Sequence, residues 1–164
     1  MEPTPAEPIW YFAYGSNMCR AIFLDRREMR PLKTQWGWLQ EYELRFNIPV
    51  GPGERGVANV EASVGTRTCG VLYSLTPEDC ARLDRTEGVP VGLYRRIPVE
   101  VAVGEDRIAA FTYQSLLTQE GRKPSPRYMG LLLDGARHHG LPAEYIGYLE
   151  SFELAWDERE GERR

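Results

Sequence analysis

The sequence predicts an α+β domain with a curled or closed sheet. Three strand-like segments follow one another through the middle of the chain, capped helices and a hairpin follow them, and no repeat or linker divides the 164 residues. A chain of this length buries roughly 68–70% of its unfolded surface, enough for a core without disulfide or metal staples.

The first eight residues hold three prolines and two acids and offer nothing to bury, so residues 1–8 read as a disordered leader. Ile9-Trp10-Tyr11-Phe12-Ala13-Tyr14 is an apolar, aromatic run of the kind that forms a buried strand. It breaks at the turn formers Gly15-Ser16-Asn17. A helix is expected from Met18 to about Met29, with Ile22, Phe23 and Met29 inward and Pro31 ending it. Between Trp36 and Phe46, Tyr42, Leu44 and Phe46 alternate with charged neighbours, as in a half-buried strand. A Pro/Gly-rich turn at 49–56 precedes two more strands, Val57 to Ser63 and Thr68 to Leu75, joined near Gly65.

Thr76-Pro77-Glu78-Asp79 opens a helix with a capping threonine, proline in the first turn and acids against the positive helix end, and Gly88 stops it. Cys80 and Leu83 lie three apart on its inner face. Tyr94 to Val103 and Arg107 to Gln114 form a hairpin about Gly104-Glu105-Asp106. Ser125-Pro126 caps a helix ending at Gly140, and Pro142 starts another running to about Leu154. The organisation is therefore one domain over residues 9–154, followed by a charged tail at 155–164.

Composition narrows the function. The chain is 42% hydrophobic and 27% charged with a net charge of −4, which argues against neutralising nucleic-acid phosphates as a main task. Three scattered cysteines and two adjacent histidines, His138 and His139, give neither a disulfide framework nor a metal-ligand spacing, so no metal is expected. The acidic start is unlike a signal peptide and no apolar run reaches the 18 residues of a membrane span. These features suit a cytoplasmic protein with no nucleic-acid or membrane partner. A homodimer is compatible with the sequence, although no apolar stripe demands one.

Two places could carry chemistry. At Tyr14-Gly15-Ser16-Asn17-Met18 a buried strand gives way to a helix, which leaves backbone N–H groups facing one way at a positive helix end, suited to a carboxylate, phosphate or oxyanion. The simpler alternative is a strand–helix turn in which Ser16 or Asn17 caps the helix. Glu87 sits in the last turn of its helix, where a carboxylate opposes the dipole; partial burial would raise its pKa toward that of a working acid/base. The alternative is a solvated surface glutamate. Nine tyrosines invite the same choice between core and site. Ser16 lacks a Gly-x-Ser-x-Gly setting, and Cys19 reads more simply as a small buried residue than as a thiolate. The paired histidines read as compensation of a helix C-terminus.

In order along the chain, Phe12-Ala13-Tyr14-Gly15-Ser16-Asn17-Met18, Gly56-Val-Ala-Asn-Val60, Gly70-Val-Leu-Tyr73, Leu83-Asp84-x-x-Glu87-Gly88 with Gly92-x-Tyr94, Pro124-Ser-Pro-x-Tyr128 and Gly140-Leu-Pro-x-Glu-Tyr145 resemble the γ-glutamylcyclotransferase family across residues 9–154. The resemblance implies a small mixed sheet curled into a barrel-like core with flanking helices, with the 14–18 loop at the mouth of a pocket. It implies that Glu87 is the catalytic acid/base, that Tyr14, Gly15, Ser16, Asn17 and Met18 bind substrate, and that Tyr94, Tyr113 and Tyr128 line the pocket. It also implies a small-molecule γ-glutamyl substrate, closed to 5-oxoproline by its own α-amino group, and no cofactor. The leaving group could be an amino acid, an amine or part of a larger molecule. Asn17 stands apart from the Tyr-Gly-Ser-Leu of the glutathione-specific relatives. The rival readings are a non-catalytic relative holding a carboxylated or phosphorylated ligand at residues 14–18 and, more weakly, a hydrolase using Cys19 or Ser16.

Overall fold

A computed structural model describes residues 7–156. Apart from residues 7, 8, 155 and 156, the expected leader and tail lie outside the described residues. Five strands, β1 (Ile9–Ala13), β2 (Lys33–Pro49), β3 (Gly56–Leu75), β4 (Arg95–Val103) and β5 (Asp106–Gln114), close into a barrel in the order β1-β3-β2-β4-β5. Three helices flank it: α1 (Pro77–Thr86), α2 (Pro126–His138) and α3 (Ala143–Glu150).

The long antiparallel ribbon of β2 and β3 makes up much of the wall. Its charged and apolar residues alternate through Tyr42–Phe46, whereas Thr68–Leu75 is buried throughout, because one face looks into the barrel and the other lies under helices. The two strands expected on either side of Gly65 are one strand, interrupted where Ser63–Thr66 bulge opposite Glu41. The junction read at Gly65 is the crest of that bulge, with φ of +83°.

The barrel closes between β1 and β5, parallel neighbours joined at Tyr11 and Phe111. Two side-chain bonds reinforce this seam: Thr112 Oγ1 donates to the Phe12 carbonyl (2.6 Å), and Tyr14 Oη donates to the Tyr113 carbonyl. Phe12, Leu39, Leu72, Val101 and Leu132 are among the residues packed out of water in the core.

The helix expected over 18–29 does not form. One 3₁₀ turn (Ser16–Met18) is followed by a wide π turn (Ala21–Arg26), closed by Arg27 N–H donating to the Ile22 carbonyl at 2.9 Å. Ile22, Phe23 and Met29 are buried as expected, but in a segment whose turns differ in period from an α-helix. The wider turn brings Arg27 back toward Asn17. α1 starts at its capping Thr76, whose hydroxyl accepts from Asp79 N–H, and ends with Gly88 in the left-handed region. α2 is capped by Ser125 as expected, while α3 stops at Glu150, short of Leu154.

Candidate active site

Tyr11, Tyr14, Gly15, Ser16, Asn17, Ala58, Glu87, Tyr94, Tyr113 and Tyr128 line one pocket at the barrel mouth. The 14–18 loop leaves β1 at the seam, Glu87 caps the C-terminal end of α1, Tyr94 precedes β4, Tyr113 is near the end of β5, and Tyr128 lies in the first turn of α2. Residues more than a hundred positions apart thus meet because the barrel closes.

Asn17 is the hub. Its Nδ2 donates to Glu87 Oε1 (2.8 Å) and to Tyr11 Oη (2.9 Å), while its Oδ1 accepts from Arg27 Nε (2.7 Å). An arginine Nε can only donate, so the orientation of the Asn17 amide is fixed and its NH₂ must face Glu87. The Asn17 carbonyl in turn accepts from Tyr73 Oη at 2.8 Å. Burial raises the Glu87 carboxyl above its usual range, against the opposing pull of the Arg27 cation and the Asn17 bond.

The surrounding hydroxyls stay protonated. Burial raises Tyr11, Tyr14 and Tyr94 well above the ordinary tyrosine value, raises Tyr113, and pushes Tyr128 up to about 12. Tyr94 Oη donates to the Ala58 carbonyl and Tyr128 Oη accepts from the Ala58 N–H, both at 3.1 Å, so these rings brace opposite sides of one β3 peptide. Tyr113 Oη donates to Asp84 Oδ1 (2.6 Å), which Arg96 also holds at 2.8 Å. No acceptor for the Tyr11 hydroxyl proton is found among the described residues.

Gly15 lets these pieces converge: a Cβ there would stand 3.0 Å from Tyr128 Oη and 3.2 Å from the Ala58 methyl. The loop enters a 3₁₀ turn instead of an α-helix, so the helix-end field expected from the sequence is absent. The Met18 N–H is spent on the Gly15 carbonyl at 3.0 Å. The Ser16 amide is bonded toward Tyr128, which leaves the Gly15 and Asn17 amides as the loop's candidate donors.

Of the residues expected from the sequence, Glu87, Tyr14, Gly15, Ser16, Asn17, Tyr94, Tyr113 and Tyr128 all reach the lining. Met18 does not. Its side chain is wholly buried behind the loop, where its carbonyl faces His139 Nε2 (3.1 Å) and its backbone lies against Gly135. Tyr11, Ala58 and Arg27 were not singled out. Tyr11 read as one aromatic among several in a buried strand, and nothing in the spacing of Arg27 ties it to Asn17. Cys19 is buried with its thiol on Asp134 and its pKa raised, chiefly by burial, which disfavours a thiolate. His139 is the C-cap of α2, and burial lowers its pKa, so it meets the loop as a neutral ring. No cluster of metal-binding side chains occurs among the described residues, and no helix there is long and apolar enough to cross a membrane.

Comparison with known proteins points the same way. Residues 67–149 match the AIG2-like family. The γ-glutamylcyclotransferase of Bos taurus is 32% identical over 156 residues, spanning 90% of this chain and 80% of the relative. The Homo sapiens protein of the same name is 30% identical over 154 residues, with the same coverage of each. A solved structure of a γ-glutamyl cyclotransferase superposes with a TM-score of 0.81 at 29% identity, covering 90% of this chain and 89% of its own.

Proposed function

From the premise that this chain belongs to the γ-glutamylcyclotransferase family and is an enzyme of that cyclising kind, we propose that it converts a γ-L-glutamyl amine or γ-L-glutamyl amino acid to 5-oxoproline and the free amine, with Glu87 as acid/base. The observation that carries this reading is a carboxylate of raised pKa held in a pocket of protonated tyrosines. A site built only to hold an anion gains nothing from that carboxylate, which weighs against the binding-module reading.

The substrate's α-nitrogen attacks its own γ-carbonyl carbon, the new C–N bond closes a five-membered lactam, and the original amide C–N bond breaks. Glu87 takes the proton lost by the attacking nitrogen and delivers it to the departing one, so no water or other co-reactant enters. A carboxylate lifted above its ordinary range serves both halves of this exchange. Because the attack is intramolecular, much of the acceleration comes from folding the substrate into an attacking shape; well-oriented cases reach effective molarities of about 10⁵–10⁸ M. The Gly15 and Asn17 amides and the Tyr11 hydroxyl proton supply donors for the substrate carboxylate and for the negative charge that develops on the carbonyl oxygen.

The test is mass-spectrometric detection of 5-oxoproline from a panel of γ-glutamyl amines and amino acids, with Glu87→Gln alongside. We expect product from the parent and a loss of at least about 10³-fold in the variant, on the scale of removed acid/base catalysis. Near-parent turnover by a folded Glu87→Gln protein would remove Glu87 from the mechanism.

A further inference from the structure

Glu87 and Tyr94, both in the pocket lining, are joined by the short turn Gly88–Leu93. Val91 is 84% exposed and Leu93 40%, and the neighbouring 115–117 segment adds Leu116 at 68% and Leu117 at 56%. Four aliphatic side chains therefore stand in water on two segments that adjoin lining residues along the chain, 88–93 between Glu87 and Tyr94 and 115–117 after Tyr113. Such a patch costs solubility, and these side chains contribute little to the core.

The patch is built, not slack. Gly88 and Gly92 hold the turn with φ of +73° and +77°, and the N–H groups of Val91 and Leu93 both donate to the Gly88 carbonyl, at 3.2 and 3.0 Å. Ser115 Oγ donates to the Leu93 carbonyl (2.7 Å) and accepts from Leu117 N–H (3.1 Å), pinning the two segments together. The Asn59 side chain, next to pocket residue Ala58, bonds both the N–H and the carbonyl of Ser115 at 3.0 Å. The strand that carries pocket residue Ala58 and the two aliphatic segments are thus joined by one set of hydrogen bonds.

We propose that this rim, Val91, Leu93, Leu116 and Leu117, receives the leaving group, and that the substrates are γ-L-glutamyl amides carrying an apolar substituent on the departing nitrogen. The inference rests on the cyclotransferase reading. The polar lining suits the charged amino-acid end of the glutamyl group, which leaves the substituent beyond the scissile amide to the surface next to the pocket, where the turn joining Glu87 to Tyr94 carries exposed Val91 and Leu93. Either an alkylamine or an amino acid with an aliphatic side chain supplies that chemistry.

The experiment compares kcat/KM for the γ-L-glutamyl methylamide, propylamide, 3-methylbutylamide and ethanolamide, and for γ-glutamylglycine and γ-glutamylleucine. Partial burial of each added methylene predicts a gain of about twofold to fourfold, so the 3-methylbutylamide should exceed the methylamide by about tenfold or more. The ethanolamide should gain little, γ-glutamylleucine should exceed γ-glutamylglycine as the 3-methylbutylamide exceeds the methylamide, and γ-glutamylleucine against the 3-methylbutylamide separates the amino acid from the alkylamine as the source of that hydrocarbon. In a Val91→Asn, Leu116→Asn double variant the 3-methylbutylamide to methylamide ratio should fall toward one. Equal rates across the series, or a ratio untouched by the double variant, overturns the proposal. So does a parent that sediments as a dimer and a variant that sediments as a monomer with the same ratio, since the patch then serves self-association. If no amide yields 5-oxoproline, calorimetric binding to Glu87→Gln decides: tighter binding of the 3-methylbutylamide upholds the rim while the cyclising reading fails, and equal binding rejects the rim too.

Discussion

The Asn17 side chain has no freedom left: Arg27 holds its oxygen, and Glu87 and Tyr11 take its two N–H groups. Arg27 thereby positions Glu87 through Asn17 and also lowers its pKa by its charge. Replacing Arg27 with Gln removes the cation, so the acid limb of the kcat/KM profile should move to higher pH, and activity near neutrality should fall by about tenfold. A uniform loss with an unmoved limb would mean that Arg27 only braces the loop. The same carboxyl makes a stability prediction. Its pKa is raised in the folded state above the ordinary 4.5, so with rising pH the unfolded chain releases that proton first. Stability contributed by the protonated form is present below about 4.5 and lost as pH climbs through the raised value, so at neutral pH Glu87 costs stability. Glu87→Gln should therefore melt higher, by about 2–4 °C for each 1 kcal/mol relieved, in thermal scans at pH 7. Sequence could suggest Glu87, because an acid at a helix C-terminus is locally ill-placed. It could not suggest Arg27, whose role depends on a turn that doubles back.

Among the elements, α2 sets the loop. Gly135 lets the helix press onto the loop backbone, where a Cβ would come within 2.5 Å of the Met18 carbonyl carbon and oxygen. One turn on, neutral His139 bonds that carbonyl and Tyr73 Oη lies 3.4 Å from the same ring nitrogen, while Tyr73 donates to the Asn17 carbonyl. Gly135→Ala should push the loop toward the pocket and lower kcat/KM by 10-fold or more, with circular dichroism showing the helices intact; unchanged kinetics would mean that the loop yields freely. The capped helices were legible because Thr76-Pro77 and Ser125-Pro126 encode their own starts. The segment after the loop was not. Its apolar residues were found, but its π turn is set by contacts of Arg27 and Met29 that no local pattern displays.

In the whole molecule, the pocket exists because β1 meets β5 across a hundred residues. The separate strands could be read from alternation. Their closure could not be read that way, since it rests on one parallel ladder pair and two side-chain bonds, and only the family resemblance implied a barrel. Thr112→Val removes one of those bonds and leaves the Phe12 carbonyl short of a buried partner, which should cost about 1–3 kcal/mol in urea unfolding. A variant as stable as the parent would show that the seam is held by packing alone. The turn between Glu87 and Tyr94 has a different consequence. Its glycines and backbone bonds fix its shape, while the Val91 side chain points into solvent without holding the barrel together. Mutation can therefore sample that position, and exposed Leu116 on the neighbouring segment, at little risk to folding or to the placement of Glu87. On the proposed reading of the rim, a lineage carrying this fold can change what it releases while inheriting the ring closure intact.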